Sequence, residues 1–159
     1  MKKSGSILCL LCSLLLLFPL TGCARNKTGT EPRENVCAYL REIKGSTITL
    51  DTAEYITTED SKRMAELGLT EDDMPDGYYI YNPDEQTEDY NLTDDTEYNF
   101  IDWNRDFVGK NASGQRYSTK SKEDFTKYIQ TYENSRPGMP FFFDLKGNDV
   151  ISITEEPMA

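Results

Sequence analysis

Histidine is absent from this chain of 159 residues. Ser-His-Asp and Cys-His nucleophile systems use an imidazole as their general base, so the sequence excludes both of them. Zinc and iron sites built on histidine are excluded for the same reason. Any catalysis would have to use carboxylates, tyrosine, lysine or serine alone.

Long hydrophobic runs are absent as well. The main apolar stretch, residues 7–20, covers about 14 residues, whereas a permanent membrane-spanning helix needs about 20. It follows the basic pair Lys2 and Lys3 and ends in small residues, which is the layout of a secretory signal. The sequence therefore favours a cleaved signal peptide over a transmembrane anchor.

The segment Leu20-Thr21-Gly22-Cys23 closes that stretch and resembles the lipobox of bacterial lipoproteins. A thiol is needed there to carry a diacylglyceryl thioether, and stable anchoring needs two or more acyl chains, such as palmitate. We therefore predict a signal peptide over residues 1–22 and a lipid on Cys23. This lipid would attach the protein to the outside of the bacterial cell membrane. The alternative is an ordinary signal cleavage site beside an unmodified cysteine.

Cysteine is scarce, with four residues in the whole chain. Cys9 and Cys12 would leave with the signal peptide, and Cys23 would carry the lipid. Cys37 would then remain alone, so no intramolecular disulfide could form. We expect Cys37 to be a small buried hydrophobic residue on a strand, with intermolecular pairing as the alternative.

Basic residues are few: 17 against 28 acidic ones, a net charge of −11. Loss of Lys2 and Lys3 with the signal leaves 15 basic residues and a net charge of −13. Nucleic-acid binding needs lysine and arginine to displace counterions from phosphates, so we expect none. Cations, basic proteins and uncharged ligands remain compatible partners.

After the signal, the composition divides the chain into two parts. Residues 23–35 are polar and without periodicity, which predicts a flexible tether behind the acylated Cys23. Residues 36–159 have the length of a single domain of about 100 to 150 residues. We predict one extracytoplasmic domain over this range.

The first half of this domain alternates strand and turn signals. A hairpin is predicted over residues 36–51, turning at Lys44-Gly45. A short helix packed through Met64 and Leu67 is expected next, capped by Thr57 or Thr58 and ended by Gly68. The run Tyr78-Tyr79-Ile80-Tyr81 is aromatic and β-branched, which predicts a strand.

The second half continues this alternation of strands and helices. Strands are expected over residues 90–92 and 96–101 with a turn at Asp94-Asp95, followed by a polar loop over 102–115. Apolar residues at helical spacing predict a helix from Ser121 to about Glu133, and Pro137-Gly138 would end it. A last hairpin is predicted over residues 140–154.

These elements define an α+β domain with mostly antiparallel pairing and two helices. We predict a strongly curved sheet or a small, partly open barrel of the OB type, because closure hides the edges of strands. A flat sheet packed on the helices is the alternative.

Acidic residues cluster on either side of the Tyr78–Tyr81 strand. Asp72, Asp73 and Asp76 precede it, and carboxylate oxygens are the ligands that calcium prefers. A weak calcium site is one interpretation, and solvated turns are the other. We predict no cofactor apart from the covalent lipid.

Aromatic residues could provide a surface for a small ligand or an extracytoplasmic protein. Tyr79 and Tyr81 share one face of their strand, and Trp103 lies in the polar loop. Tyrosine and tryptophan supply rigid amphipathic contact area, which is typical of binding surfaces. These three residues are the predicted ligand or partner face.

No two carboxylates are fixed at a defined separation by the sequence, as a glycosidase would require. We therefore predict a binding module without catalytic residues. A module that binds a cation or small ligand through its acidic turns is the alternative, and a carboxylate-dependent hydrolase is less favoured.

Three segments carry a resemblance to known proteins: residues 38–51, the block DDMPDGYYIYNP over residues 72–83, and residues 150–155. Together with the lipobox they resemble a family of small bacterial lipoproteins and secreted proteins to which no activity is assigned. The resemblance implies a location and an architecture, and it implies no catalytic residue.

Overall fold

Strands make up most of the described chain, and apolar residues alternate with polar ones along them. The computed structural model describes residues 33–110, 113–131 and 140–156. In these ranges the strands are β1 (Arg33–Lys44), β2 (Thr47–Thr57), β3 (Tyr78–Tyr81), β4 (Thr87–Ile101), β5 (Arg116–Thr119), β6 (Phe141–Lys146) and β7 (Asp149–Thr154). The helices are α1 (Ser61–Leu67) and α2 (Lys122–Thr131), with one 3-10 turn at Glu71–Asp73.

Five of the strands form a closed ring. β1 pairs antiparallel with β2 on one side and with β6 on the other, and β6 pairs antiparallel with β7. β7 pairs parallel with β4, and β4 closes the ring by pairing antiparallel with β2. β3 and β5 lie outside the ring, on β2 and β4 respectively. The fold is therefore an α+β domain built on a small closed barrel of the OB type, which confirms the predicted class.

The order of the strands around the ring explains the one parallel pair. Around the ring the strands lie in the order β1, β2, β4, β7 and β6. The first three barrel strands of the chain are therefore neighbours, and the last two stand in reverse order. α2 lies between the third and fourth of these strands, β4 and β6, so the chain crosses the barrel before β6 and β7 form their hairpin. This hairpin places β7 beside β4 in the same direction.

The main core fills the barrel and continues under α2. Phe125 and Tyr128 on one face of α2 are buried there. Tyr128 stacks on Phe100 with ring centroids 4.1 Å apart, and Phe125 stacks on Tyr98 at 4.8 Å. Stacked pairs of this kind add about 0.5 to 1.5 kcal/mol each beyond the area they bury. The helix predicted from apolar spacing is thus held by aromatic packing.

A smaller core lies where β2 and β3 meet α1. Ile56, Met64 and Met74 are buried in it, and Tyr79 and Tyr81 are partly buried against them. Gly68 ends α1 with a φ of 69°, a left-handed conformation that glycine adopts without strain. The predicted packing of Met64 and the predicted end of the helix are both confirmed.

The predicted start of α1 was wrong. Thr57 is the last residue of β2, where it pairs with Tyr78, and the residue before the helix is Asp60. The backbone N–H and the hydroxyl of Thr57 both donate to the Asp60 carboxylate, at 2.8 and 2.9 Å. Pairing with β3 therefore holds Thr57 in the sheet, although its side chain suits a helix cap.

The predicted turn at Asp94-Asp95 was also wrong, because β4 runs without a break from Thr87 to Ile101. The register against β7 shifts between Leu92 and Glu97, which accommodates the extra residues as a bulge. Thr96 is buried in this bulge and donates its hydroxyl to the carbonyl of Val150 at 2.8 Å. That hydrogen bond keeps the two strands together across the irregularity.

The bounds of three further elements differ from the predicted ones. β1 begins at Arg33, inside the predicted tether, because residues 33–38 pair with β6. β2 runs on to Thr57 because it pairs with β3, and β5 follows the predicted loop without having been predicted. Pairing with distant segments extends these strands into residues whose own composition is too polar to predict a strand.

The last part of the chain follows the prediction where it is described. The backbone N–H of Asp124 donates to the Ser121 hydroxyl at 3.1 Å, so Ser121 caps α2 as expected. β6 and β7 form the predicted hairpin, and Gly147 in its turn has a φ of 59°. The predicted extension of α2 to Glu133 and the turn at Pro137-Gly138 lie outside the described residues.

Tyr98 provides a test of the core. Its hydroxyl is buried and accepts or donates no hydrogen bond among the described residues, and burial raises its pKa from 10.0 to about 12. Because an unpaired buried hydroxyl costs about 1 to 3 kcal/mol, Tyr98→Phe should leave the free energy of unfolding unchanged or raise it. The protein with Tyr98 should also lose more stability than the variant as the pH rises from 10 towards 12. In that range Tyr98 ionises readily in the unfolded protein, whereas burial keeps it protonated in the folded protein.

Tyr128→Phe is the matched control, because the Tyr128 hydroxyl donates to the buried carboxylate of Glu155. This variant should be destabilised by about 1 to 3 kcal/mol. Urea unfolding of both variants measures the two effects. A clear loss of stability in Tyr98→Phe would contradict the conclusion that the Tyr98 hydroxyl is buried without a hydrogen bond to the described part of the chain.

Candidate functional site

β2 changes partners halfway along its length. Its pairing with β1 ends at Ala53, opposite Cys37, while its other edge passes from β4, which pairs as far as Asp51, to β3, which pairs from Glu54. β1 continues from Cys37 back to Arg33, where β6 is its one partner among the described strands. Val36 of β1 and Glu54 of β2, the next residues along, are therefore not paired with each other, and no strand in the described part of the chain pairs between them.

A groove of about 630 Å³ lies at this divergence, and we call it the β1–β2 groove. Its residues come from both separating strands, from the end of β3 and the loop after it, and from β6. They are Asn35, Val36, Cys37, Thr52, Ala53, Glu54, Tyr55, Tyr81, Pro83 and Phe142.

Aromatic side chains form the apolar part of the groove. Tyr55 stacks on Tyr78 with centroids 5.3 Å apart and meets Phe142 edge-on at 5.1 Å. Tyr55 is nevertheless 37% exposed, one of two large hydrophobic residues exposed in the described ranges. It is therefore fixed in position by two rings while part of its surface stays accessible.

Glu54 is the charged residue that lines the groove, and it pairs with a cation outside the lining. Arg63 of α1 donates to the Glu54 carboxylate through Nε at 2.8 Å, and to Glu66 through Nη1 at 3.0 Å. Its guanidinium lies over the ring of Tyr81, 5.4 Å from the centroid. Hydrogen bonds to Glu54 and Glu66 raise the pKa of Arg63, so the cation persists at any physiological pH.

Cys37 lies at the base of the divergence and is only 6% exposed. Burial raises the pKa of its thiol from 9.0 to about 11, which keeps the thiol protonated and unreactive at neutral pH. The prediction of a small buried residue on a strand is confirmed.

A buried ion pair lies beside the groove. Asp51 is fully buried on β2, and Arg41 donates to its Oδ2 through Nε at 3.0 Å and through Nη2. Asn82 donates to the same oxygen at 3.1 Å. The second oxygen of Asp51 has no partner among the described residues, and neither has the side-chain oxygen of Asn82.

A β-bulge makes this ion pair possible. The register of β1 against β2 shifts between Leu40 and Glu42, so Arg41 is the extra residue on its strand. A bulge turns the extra side chain out of the regular alternation, and here it reaches Asp51. Asn82 comes from the loop between β3 and β4, so the pair ties this loop to the wall of the barrel.

The predicted ligand face is divided between two clusters. Tyr79 and Tyr81 pack partly buried in the smaller core, and Tyr81 also lines the β1–β2 groove. Trp103 follows β4, is 51% exposed and donates its indole N–H to the buried Glu155 at 3.3 Å. The structure thus brings Tyr81 to the groove, together with Tyr55 and Phe142, which the sequence did not single out.

The loop that carries Trp103 is ordered by Asp102. This buried carboxylate accepts backbone N–H groups from Asp106, Phe107 and Val108 at 2.7 to 2.8 Å. Burial acts to raise the pKa of Asp102, but the backbone donors outweigh it, and the pKa lies below its usual value. The carboxylate is therefore a structural anion inside a loop.

The three acidic candidates for calcium lie around the 3-10 turn before β3. Asp73 accepts from the backbone N–H and the hydroxyl of Thr70, at 2.9 and 2.8 Å, and these hydrogen bonds lower its pKa. Asp72 and Asp76 are exposed. In residues 33–110, 113–131 and 140–156, no three cysteine or acidic side chains converge on a point where a metal ion could sit.

The fold and the groove together define a class, a small α+β barrel of the OB type with an aromatic groove on its outer wall. No protein-family model, curated protein or solved structure matches the chain. Within the described residues, no helix is long and apolar enough to span a membrane. Cys23 and the rest of the predicted lipobox lie outside the described residues.

The ion pair beside the groove can be tested by removing Arg41. Arg41→Ala would leave the carboxylate of Asp51 buried without a cation, so we expect the free energy of unfolding to fall by about 2 to 4 kcal/mol. Arg116→Ala is the matched control, since Arg116 pairs with the exposed Glu156 at 3.5 Å and should lose about 0 to 1 kcal/mol. Urea unfolding measures both, and equal losses would contradict the importance of the buried pair.

Proposed function

We propose that the protein is a lipid-anchored extracytoplasmic binding module that holds a partner without chemically changing it. The observation that carries this proposal is the β1–β2 groove, in which Tyr55 is held by two rings and remains 37% exposed. Cys23 would attach the module to the cell membrane, and the groove would engage the partner.

The size and lining of the groove support binding. Ligand sites are typically concavities of about 300 to 1,000 Å³ with apolar walls and a few polar groups. The groove, at about 630 Å³, combines Tyr55, Phe142 and Ala53 with the polar side chains of Asn35 and Glu54. Tyrosine fixed in this way loses little conformational entropy when a partner arrives.

The usual ligand face of an OB barrel is unsuited to nucleic acid here. In OB folds this face is formed by the second and third barrel strands, which here are β2 and β4. Ile48 and Leu50 point inward, so Thr49 and its partner Asp89 point outward, joined by a hydrogen bond of 2.7 Å. A carboxylate on this face would repel phosphates, which supports a partner other than nucleic acid.

The alternative proposals have less support. The acidic turn before β3 uses Asp73 to cap its own backbone, which leaves Asp72 and Asp76 as isolated exposed carboxylates. For a hydrolase, the buried carboxylates of Asp51, Asp102 and Glu155 are each engaged by donors that belong to the fold. The groove therefore favours a binding role.

Photo-crosslinking in intact cells tests the proposal. The full-length protein would carry benzoylphenylalanine at position 55, and we expect a discrete adduct with one extracytoplasmic protein, because this side chain lines the groove. The same reagent at Gln130, an exposed position on α2, is the control and should give no such adduct.

Cys23→Ser provides the second arm of this experiment. It should move the protein from the membrane fraction to the medium or periplasm and reduce the adduct at position 55. Adducts of equal yield at positions 55 and 130, or no adduct at either, would contradict a binding role for the groove.

A further inference from the structure

We infer that the β1–β2 groove takes an extended, basic peptide segment of a partner protein, which adds as a strand between β1 and β2. This inference rests on the proposed binding function and specifies the partner. It differs from a small-molecule site because the groove is bounded by two strand edges, which a polypeptide backbone can pair with.

The first step is the supply of hydrogen-bonding groups. Every strand residue carries an N–H donor and a carbonyl acceptor, and these require partners. Beyond the pair Cys37 and Ala53, and within the residues that the structure describes, β1 has a partner strand only on its β6 side and β2 only on its β3 side. In the described chain, Asn35 and Val36 of β1 and Glu54 and Tyr55 of β2 thus belong to two strand edges that line the same groove. An extended peptide laid between them could pair with either edge.

The second step is the space for side chains. Ala53 and Cys37 are opposite each other at the closed end of the groove, and both side chains are small. Two residues further along β2, on the same face, Tyr55 stands against Phe142. An added strand would therefore meet small residues at one end and an aromatic surface at the other, which suits alternating side chains with an apolar residue near Tyr55.

The third step is charge. Asp84 and Glu85 follow Pro83 at the rim of the groove, and Glu85 is 86% exposed. Arg63 pairs with Glu54, and the Arg41 guanidinium lies 3.9 Å from the Glu85 carboxylate but is shared with the buried Asp51. The whole chain carries a net charge of −11. Lysine or arginine in the peptide would be attracted to this rim, and an acidic segment would be repelled.

The test uses the purified full-length protein in detergent and short fluorescent peptides of defined sequence. The first peptide alternates lysine with isoleucine and includes one tyrosine, and the second replaces every lysine with glutamate. The third peptide keeps the first sequence but carries N-methyl groups on the alternate backbone nitrogens that point to one edge of the extended peptide. A fourth peptide carries them on the nitrogens that point to its other edge. N-methylation removes the donors needed for strand pairing and leaves the side chains and charge unchanged.

Fluorescence anisotropy should show saturable binding of the basic peptide that weakens as salt is raised. At least one N-methylated peptide should bind about tenfold more weakly or worse, and the acidic peptide should not bind. Tyr55→Ala should weaken binding of the basic peptide by about tenfold, whereas Trp103→Ala, which removes the other exposed aromatic side chain, should leave it unchanged.

Three results would overturn the inference: equal binding of methylated and unmethylated peptides, equal binding of the basic and acidic peptides, or no saturation at about 1 mM. Failure of the peptides together with a position-55 adduct in cells would reject strand addition and retain the binding function. Peptide binding without any adduct in cells would retain the groove as a peptide site and reject its proposed use on the cell surface. Because the peptide comparison needs no substitution, it remains decisive even if Tyr55→Ala fails to fold.

Discussion

The structure depends on which strands hydrogen-bond to the two edges of β2. A strand inside a barrel needs a partner on each side, and β2 has β1 and β4 in its first half but, among the described strands, β3 alone in its second. The first arrangement closes the ring, and in the second β2 continues beyond Ala53 beside β3, where its pairing with β1 has ended. Closure of the barrel and the position of the groove are therefore both determined by which strands pair with β2 along its length.

The surroundings of this change keep it in place. On one side, α1 and the 3-10 turn bury Ile56 in the smaller core, which holds the second half of β2 against β3. On the other, the ion pair between Arg41 and Asp51, joined by Asn82, fastens the loop after β3 to the barrel wall. A fully buried carboxylate is costly without its cation, so the bulge that brings Arg41 to Asp51 also stabilises the wall beside the groove.

Local patterns were enough to predict the class of fold, because Ile48 and Leu50 alternate and Phe125, Tyr128 and Ile129 follow helical spacing. They could not predict which strand would pair with which. Thr57 and the pair Asp94-Asp95 carry cap and turn signals, yet Thr57 pairs with β3 and Asp94-Asp95 lie in a bulge between two residues of β4 that pair with β7. The groove depends on the same distant pairing, so Tyr55 and Phe142 were not distinguishable from other aromatic residues, while Tyr81 was identified on composition alone.

The central claim is that β1 and β2 separate after Cys37 and Ala53, and NMR of the isotope-labelled full-length protein tests it most directly. Cross-strand nuclear Overhauser contacts should join Leu40 to Leu50 and Tyr55 to Ile80, which are paired. No backbone contact should join Val36 to Glu54. A contact between Val36 and Glu54 would show that the strands stay paired, and it would contradict both the groove and the peptide site built on it.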